Sequence, residues 1–492
     1  MTRRQRQSSQ QIGEPSSFET NGSGALDLGY DRDAVEFGVM HIGPGRFHRA
    51  HQAFYFNELL KRDTRWGVEA VSMRSTWLKE QLADQSNLYT LKIVGQNEAI
   101  LPIGSIIGIN SWSNDRKRVI DLFCDPRLKL ITLTITEAGY YASHDGTLNL
   151  DAPEIANDLA SPAQSKTAIG LLVYGLRARW KEGLEPPNIL SCDNVSRNGN
   201  VLRNACICLA RQVDRDFSSY LERSVSFPNS VVDSITPASP PELAEEVRRE
   251  LGFNDHAPVL REEFSEWIIE DKFAGERPRL DVVGVQFVDD IEPYERRKLR
   301  ILNASHTILA ILGLQKGLNT VFDALNDEHI RRFLEAALAN CILPSLNGPT
   351  SVLTIYVENM YRRFQNPRIP HLLDQIIENT SVKLENRILP AVSLLLKSNQ
   401  RYDELLVLVI SWIVFIGKRH DANEEFSDPI FSSKSQVLGD APLSERVLAY
   451  LDSSSLSALD ASDKSRLHRR VAELLELHFS QSAEAPLAYL ER

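Results

Sequence analysis

The segment Lys298-Leu-Arg-Ile-Leu-Asn303-Ala-Ser-His306 places three chemically complementary side chains inside a run of helical periodicity. On a helix advancing about 100° per residue, Lys298, Asn303 and His306 point to about 0°, 140° and 80°, all on one side. A lysine abstracts an alcohol proton when burial lowers its pKa. An asparagine amide donates to a developing oxyanion, and a histidine orients a hydroxyl or carbonyl. The set suits metal-free alcohol oxidation by hydride transfer. It also suits an ordinary amphipathic helix with one solvated face, and these residues alone leave both readings open.

Hydride transfer needs a carrier. In "HIGPGRFHRAHQ", Gly43-x-Gly45 lies between a strand-like run and a helix-like run. At such a junction a dinucleotide pyrophosphate meets backbone N–H groups and a helix N-terminus. His48 stands where the full fingerprint has its third glycine. His41, His48 and His51 lack a nearby Asp, Glu or Cys to complete a ligand set, so no metal is expected. The second strand-like run ends in Arg74 and Ser75 instead of the acid that grips the ribose of NAD, which leaves NAD and NADP both open. Further along, "TEAGYY" and "SCDNVSRNGN" are polar segments that follow strands, where open α/β sheets bind ligands. Asp193 and Asn194 lie in the second, where an Asx turn is an equally good account. Ser239-Pro-Pro-Glu242 reads as a capping box that starts a helix and does not require Asp233 before it.

The elements that must hold these residues change character along the chain. Up to about residue 285, short apolar runs ("EFGVMHIG", "WGVEAVSMRS", "LKLITLTITEAGY", "PPNILSCDN", "RLDVVGVQFVDD") alternate with helical segments, as in a mostly parallel sheet covered on both faces. Beyond it, helical periodicity dominates. The fold class expected is α/β: a Rossmann-type domain over 31–287, an all-helical domain over 288–492, and a disordered leader over 1–30. The chain has 492 residues and a formal charge of −11, a poor balance for nucleic acid. Five scattered cysteines suggest neither a disulfide framework nor a zinc ribbon, and a reducing cytoplasm is expected. The greasy run 405–417 is too short to span a bilayer and reads as a buried helix. No coiled-coil heptads are visible, so a monomer is the default expectation.

"HIGPGRFHRAHQ", "TITEAGYY", "SCDNVSRNGNVLR", "VDSITP", "EWIIEDKFAGERP" and "KLRILNASH", in that order, resemble the polyol-specific long-chain dehydrogenase/reductase family, from about residue 36 onward. Mannitol 2-dehydrogenase and fructuronate reductase belong to that family. The resemblance implies zinc-independent hydride transfer between a nicotinamide cofactor (NAD, with NADP open) and a small polyol, ketose or sugar acid. D-mannitol to D-fructose is the leading pair and a keto-uronate the alternative; a nucleotide-binding sensor without turnover is an alternative of another class. It implies Lys298 as general base, Asn303 and Asn194 polarising the substrate oxygen, and His306 binding a neighbouring one. Asp233, Lys383, Arg387 and His371 are implied for substrate, and Gly43, Gly45, Phe47, Arg74, Glu137 and Gly139 for cofactor. Ala138, Pro44, Arg46 and Asn379-Thr380-Ser381 depart from the family's usual residues and bear on which substrate is used.

Overall fold

The computed structural model describes residues 26–143, 146–369, 371–424, 426–432 and 437–478 and divides into two compact units at Glu292/Pro293, five residues beyond the expected boundary. Most of the expected leader, residues 1–25, lies outside the described residues. Residues 26–30 pack against the first unit: Leu28 is buried, and the Tyr30 hydroxyl donates to Asn57 Oδ1 at 2.9 Å. Leu28 and Tyr30 fill the space that the missing side chain of Gly104 leaves, so the leader ends earlier than expected.

Eleven strands are described, all in the first unit: β1 Phe37–Ile42, β2 Gly67–Ser72, β3 Tyr89–Val94, β4 Ala99–Ile103, β5 Ile106–Ser111, β6 Leu130–Leu133, β7 Asn188–Ser191, β8 Ser230–Asp233, β9 Val259–Glu262, β10 Glu266–Glu270 and β11 Gln286–Val288. Five form a sheet in the order β5-β2-β1-β6-β7, every pair parallel. β1 is buried along its whole length, and alternate residues enter different cores, Met40 and Ile42 one, Val39 the other. Burial on both faces is why these strands read as unbroken apolar runs. The remaining strands build two three-stranded mixed sheets, β4-β3-β9 and β11-β10-β8.

Two local expectations are corrected. "RLDVVGVQFVDD" is not one strand: Leu280–Val283 is a 3₁₀ turn, and Gly284, at φ +99°, turns the chain before β11. A left-handed glycine breaks extended pairing there. Ser239 does not cap a helix. Its hydroxyl donates to the Pro258 carbonyl at 2.8 Å, and the helix begins at Leu243 without a side-chain cap.

The second unit is helical, with no named strand among its described residues. The run 405–417 lies inside the helix Asp403–Asp421, buried from Glu404 to Gly417 except at Val414. No described helix is long and apolar enough to cross a membrane. The stretch holding Lys298 is not one regular α-helix. Glu292–Arg297 is α, Lys298–Asn303 is a π turn, and Ala304–Gln315 resumes as α.

Candidate active site

In the first unit, β1 runs into Gly43, whose φ is +91°. Its N–H donates to the Val71 carbonyl at the end of β2, and a Cβ there would collide with the Thr134 carbonyl oxygen. Only glycine fits. Gly45 caps the helix Arg46–Ala50, and a Cβ on it would meet only the Gly43 oxygen, 3.9 Å away. The outer side of this turn is open to close approach, as a pyrophosphate requires. A cavity of about 920 Å³ adjoins it, lined by Gly43, Gly45, Arg46, Arg74, Trp77 and Gly139 among others.

His48, in the third glycine's place, stacks on His41 at 3.3 Å between ring centroids. The His41 ring bonds Thr132 Oγ1 at 2.7 Å and Thr134 Oγ1 at 3.0 Å. Burial pushes His41 down to about 3 and His48 well below the usual histidine range, so both rings are neutral. His51 Nε2 bonds the Glu266 carbonyl. Among the described residues, no three His, Cys, Asp or Glu stand where they could share a metal ion.

Phe47 and Glu137 do not line the cavity. Phe47 stacks on His51 at 4.9 Å and packs into the core beneath the helix. Glu137 is exposed on a 3₁₀ turn whose backbone is pinned from the other side by Asp193. The Asp193 carboxylate accepts from the Ile135 and Thr136 N–H groups at 3.0 and 2.8 Å and from the Tyr140 hydroxyl at 2.8 Å. Burial raises its pKa. These bonds hold Thr136 at φ +64°, a costly conformation for a β-branched residue, and so shape the turn that carries Gly139. Sequence reasoning took Asp193 only as part of an Asx turn; its signal was the polar end of "NILSCDN" together with "TEAGYY". Asn194 beside it is exposed, and Asp233 is buried at the end of β8.

In the second unit, Lys298, Asn303 and His306 are all buried. The Asn303 carbonyl accepts from Thr307 Oγ1 at 3.0 Å and from Arg387 Nη1 at 3.1 Å. Its amide nitrogen, His306 Nε2 and His371 Nδ1 are buried without a hydrogen-bond partner. The His306 ring lies 4.4 Å from Phe364 and edge-on to His371 at 4.5 Å. Burial above all, then His371, Arg363, Arg387 and Lys298, hold His306 well below the usual histidine pKa. Burial, then Arg363, pushes His371 down to about 4. Both imidazoles are therefore neutral near pH 7. These three atoms are ones that hydroxyl or carbonyl oxygens of a bound molecule could satisfy.

Lys383 and Arg387, implied for substrate, each hold protein partners as well. Lys383 Nζ donates to the Ile376 carbonyl at 2.7 Å, and Arg387 Nη1 is spent on Asn303 and Thr307. Asn379, in the altered Asn-Thr-Ser segment, takes φ +52°, which asparagine tolerates, and starts the helix Thr380–Arg387. Thr307, Arg363 and Phe364 escaped sequence reasoning. Thr307 follows Asn303 by one turn and was legible; Arg363 and Phe364 arrive through tertiary packing.

An all-parallel sheet with a glycine turn, joined to a helical unit bearing Lys298, Asn303 and His306, defines a dinucleotide-binding oxidoreductase. The chain belongs to the mannitol dehydrogenase family: residues 37–282 match the mannitol dehydrogenase Rossmann domain and 290–477 its C-terminal domain. It is 34% identical to D-mannonate oxidoreductase of Escherichia coli, covering 88% of this chain and 91% of that one. It is 35% identical to mannitol 2-dehydrogenase of Cereibacter sphaeroides over 74% and 77%. The solved Pseudomonas fluorescens mannitol 2-dehydrogenase, in ternary complex with NAD and D-mannitol, superposes with a TM-score of 0.79 at 30% identity, covering 94% of this chain and 96% of that one.

Proposed function

We propose that the protein interconverts an acyclic polyol and its ketose, D-mannitol and D-fructose being the leading pair. The observation that carries this is the group of unpartnered polar atoms on Asn303, His306 and His371 within the same helical region as Lys298. A bound nicotinamide would supply the hydride acceptor, held at its pyrophosphate by the Gly43–Gly45 turn. Lys298 takes the hydroxyl proton in oxidation and returns it in reduction. The Asn303 amide donates to the substrate oxygen as it gains charge, and Asn194 is assigned the same task. Neutral His306 and His371 bond neighbouring hydroxyls. Asp233, Lys383 and Arg387 are assigned to the rest of the substrate.

The cations that depress His306 also favour a second reading, a sugar acid, because they attract a carboxylate. The relative named D-mannonate oxidoreductase agrees with it. The test is cofactor-linked absorbance across hexitols, pentitols, ketoses and keto-uronates. Turnover of mannitol or fructose supports the first reading; turnover confined to keto-uronates or aldonates replaces it with the second. Silence across the panel rejects both.

A further inference from the structure

We propose that Asp193 is a positioning residue: its buried carboxylate locks the turn after β6, on the cofactor side, to the Asn194 segment after β7, on the substrate side. This rests on the roles given above to that turn and to Asn194. The turn carries a strained residue. Thr136 stands at φ +64° and ψ 161°, a region essentially confined to glycine. Its side chain is exposed, so side-chain packing does not impose that backbone. Such outliers persist only where surrounding bonds over-determine them, and they gather at ligand sites. Thr134, Ile135, Gly139 and Tyr141, on either side of Thr136, line the cavity beside the glycine turn.

Asp193 supplies the bonds that hold Thr136. Its Oδ2 accepts from the Ile135 N–H at 3.0 Å and the Tyr140 hydroxyl at 2.8 Å, and its Oδ1 from the Thr136 N–H at 2.8 Å. Three donors converge on two oxygens, a set that a carboxylate satisfies and a carboxamide cannot.

The same residue anchors the next segment. Its carbonyl accepts from the Val195 N–H at 2.9 Å, just past Asn194, and from Asn198 Nδ2 at 3.0 Å. Asn198, wholly buried, also bonds the carbonyl and the N–H of Ser230, each at 2.9 Å. Ser230 opens β8, which ends at Asp233. Asp193 therefore joins segments that carry Gly139, Asn194 and Asp233. Moving it shifts the cofactor wall against the donor to the substrate oxygen, and hydride transfer tolerates little such shift.

Asp193→Asn keeps the side-chain shape but sets an amide donor against one of the three donors. Thr136→Gly makes the strained backbone permissible without the clamp. The dissociation constant of NADH or NADPH, whichever binds, is read by fluorescence titration well below the melting temperature. Asp193→Asn should raise it fivefold or more, and adding Thr136→Gly should recover at least threefold. With the substrate found in the panel, Asp193→Asn should lower kcat tenfold or more and change KM less. A lower melting temperature with nucleotide affinity and kcat unchanged would make Asp193 purely structural and overturn the proposal. So would a double variant no better than Asp193→Asn. Should Asp193→Asn fail to fold, Tyr140→Phe, which removes one donor from the clamp, takes its place under the same criteria. A silent panel rejects the polyol reading, and the nucleotide titration still decides the clamp. If neither nucleotide binds the unaltered protein, the dinucleotide reading falls and the clamp's role with it.

Discussion

Asn303 stands one π turn beyond Lys298. Five residues apart on a regular α-helix, the two would diverge by about 140°. Bonding from i to i+5 widens the turn, so that residue i+5 comes closer to standing over residue i than it would on an α-helix. The Arg387 and Thr307 bonds to the Asn303 carbonyl hold the end of that turn in place.

Replacing Asn303 with Ala removes the donor to the substrate oxygen and leaves Lys298 untouched. The expected loss in kcat is roughly 100- to 1000-fold, with KM changing much less. A drop in KM-dependent binding alone would show that Asn303 merely holds the ground state.

Lys298→Ala should reduce kcat by roughly two to four orders of magnitude while nucleotide binding, read by fluorescence titration, persists. Near-normal turnover in this variant would dismiss Lys298 as the proton acceptor.

Deleting Leu299 shortens the π turn by one residue and lets the helix run as α. Far-ultraviolet circular dichroism should show the helical content retained while turnover disappears. Retained turnover would mean that the π register does not position the site.

The two glycines of the turn should respond differently. Gly43→Ala forces a side chain into the left-handed region, at about 1–2 kcal/mol, and against the Thr134 carbonyl, so thermal stability falls. Gly45→Val meets open space and should leave stability nearly unchanged while weakening nucleotide binding tenfold or more. Unimpaired nucleotide binding by Gly45→Val would falsify the pyrophosphate assignment.

Acid should destabilise the fold through its buried histidines. His371 titrates at about 4 in the folded protein against an ordinary value of 6.5. Between those values the unfolded chain binds the proton and the folded chain does not. Its contribution to stability is therefore complete above 6.5 and is lost as pH falls toward 4. His41, at about 3, and His306, well below the usual range, act in the same direction. His371 and His41 each cost about 2 kcal/mol near pH ~5. The melting temperature should fall from pH ~7 to ~5, and His371→Gln should flatten the decline. An equal slope in that variant would place His371 in water.

Much of the architecture was legible because it is written in short-range patterns. Parallel strands buried on both faces produce apolar runs such as "GVMHI" and "NILS", and Gly43 is demanded by its own φ, so the sheet and its turn could be read residue by residue. The capping box at Ser239 misled because its hydroxyl had a second acceptor, the Pro258 carbonyl, nineteen residues away. Phe47 was named for the cofactor by resemblance alone, and its stacking on His51 and packing against the core are contacts that a helical period does not encode.

The sequence by itself determined the α/β-then-helical order, the glycine turn, the missing acid after β2 and the spacing of Lys298, Asn303 and His306, because each depends on residue type and local spacing. Only the tertiary structure decided which polar atoms are left unmet. His371 reaches His306 from 65 positions downstream, Arg387 reaches the Asn303 carbonyl from 84, and Asp193 pins Thr136 from 57. Hydrogen bonds and burial of that range depend on how helices and loops pack, which no local period encodes.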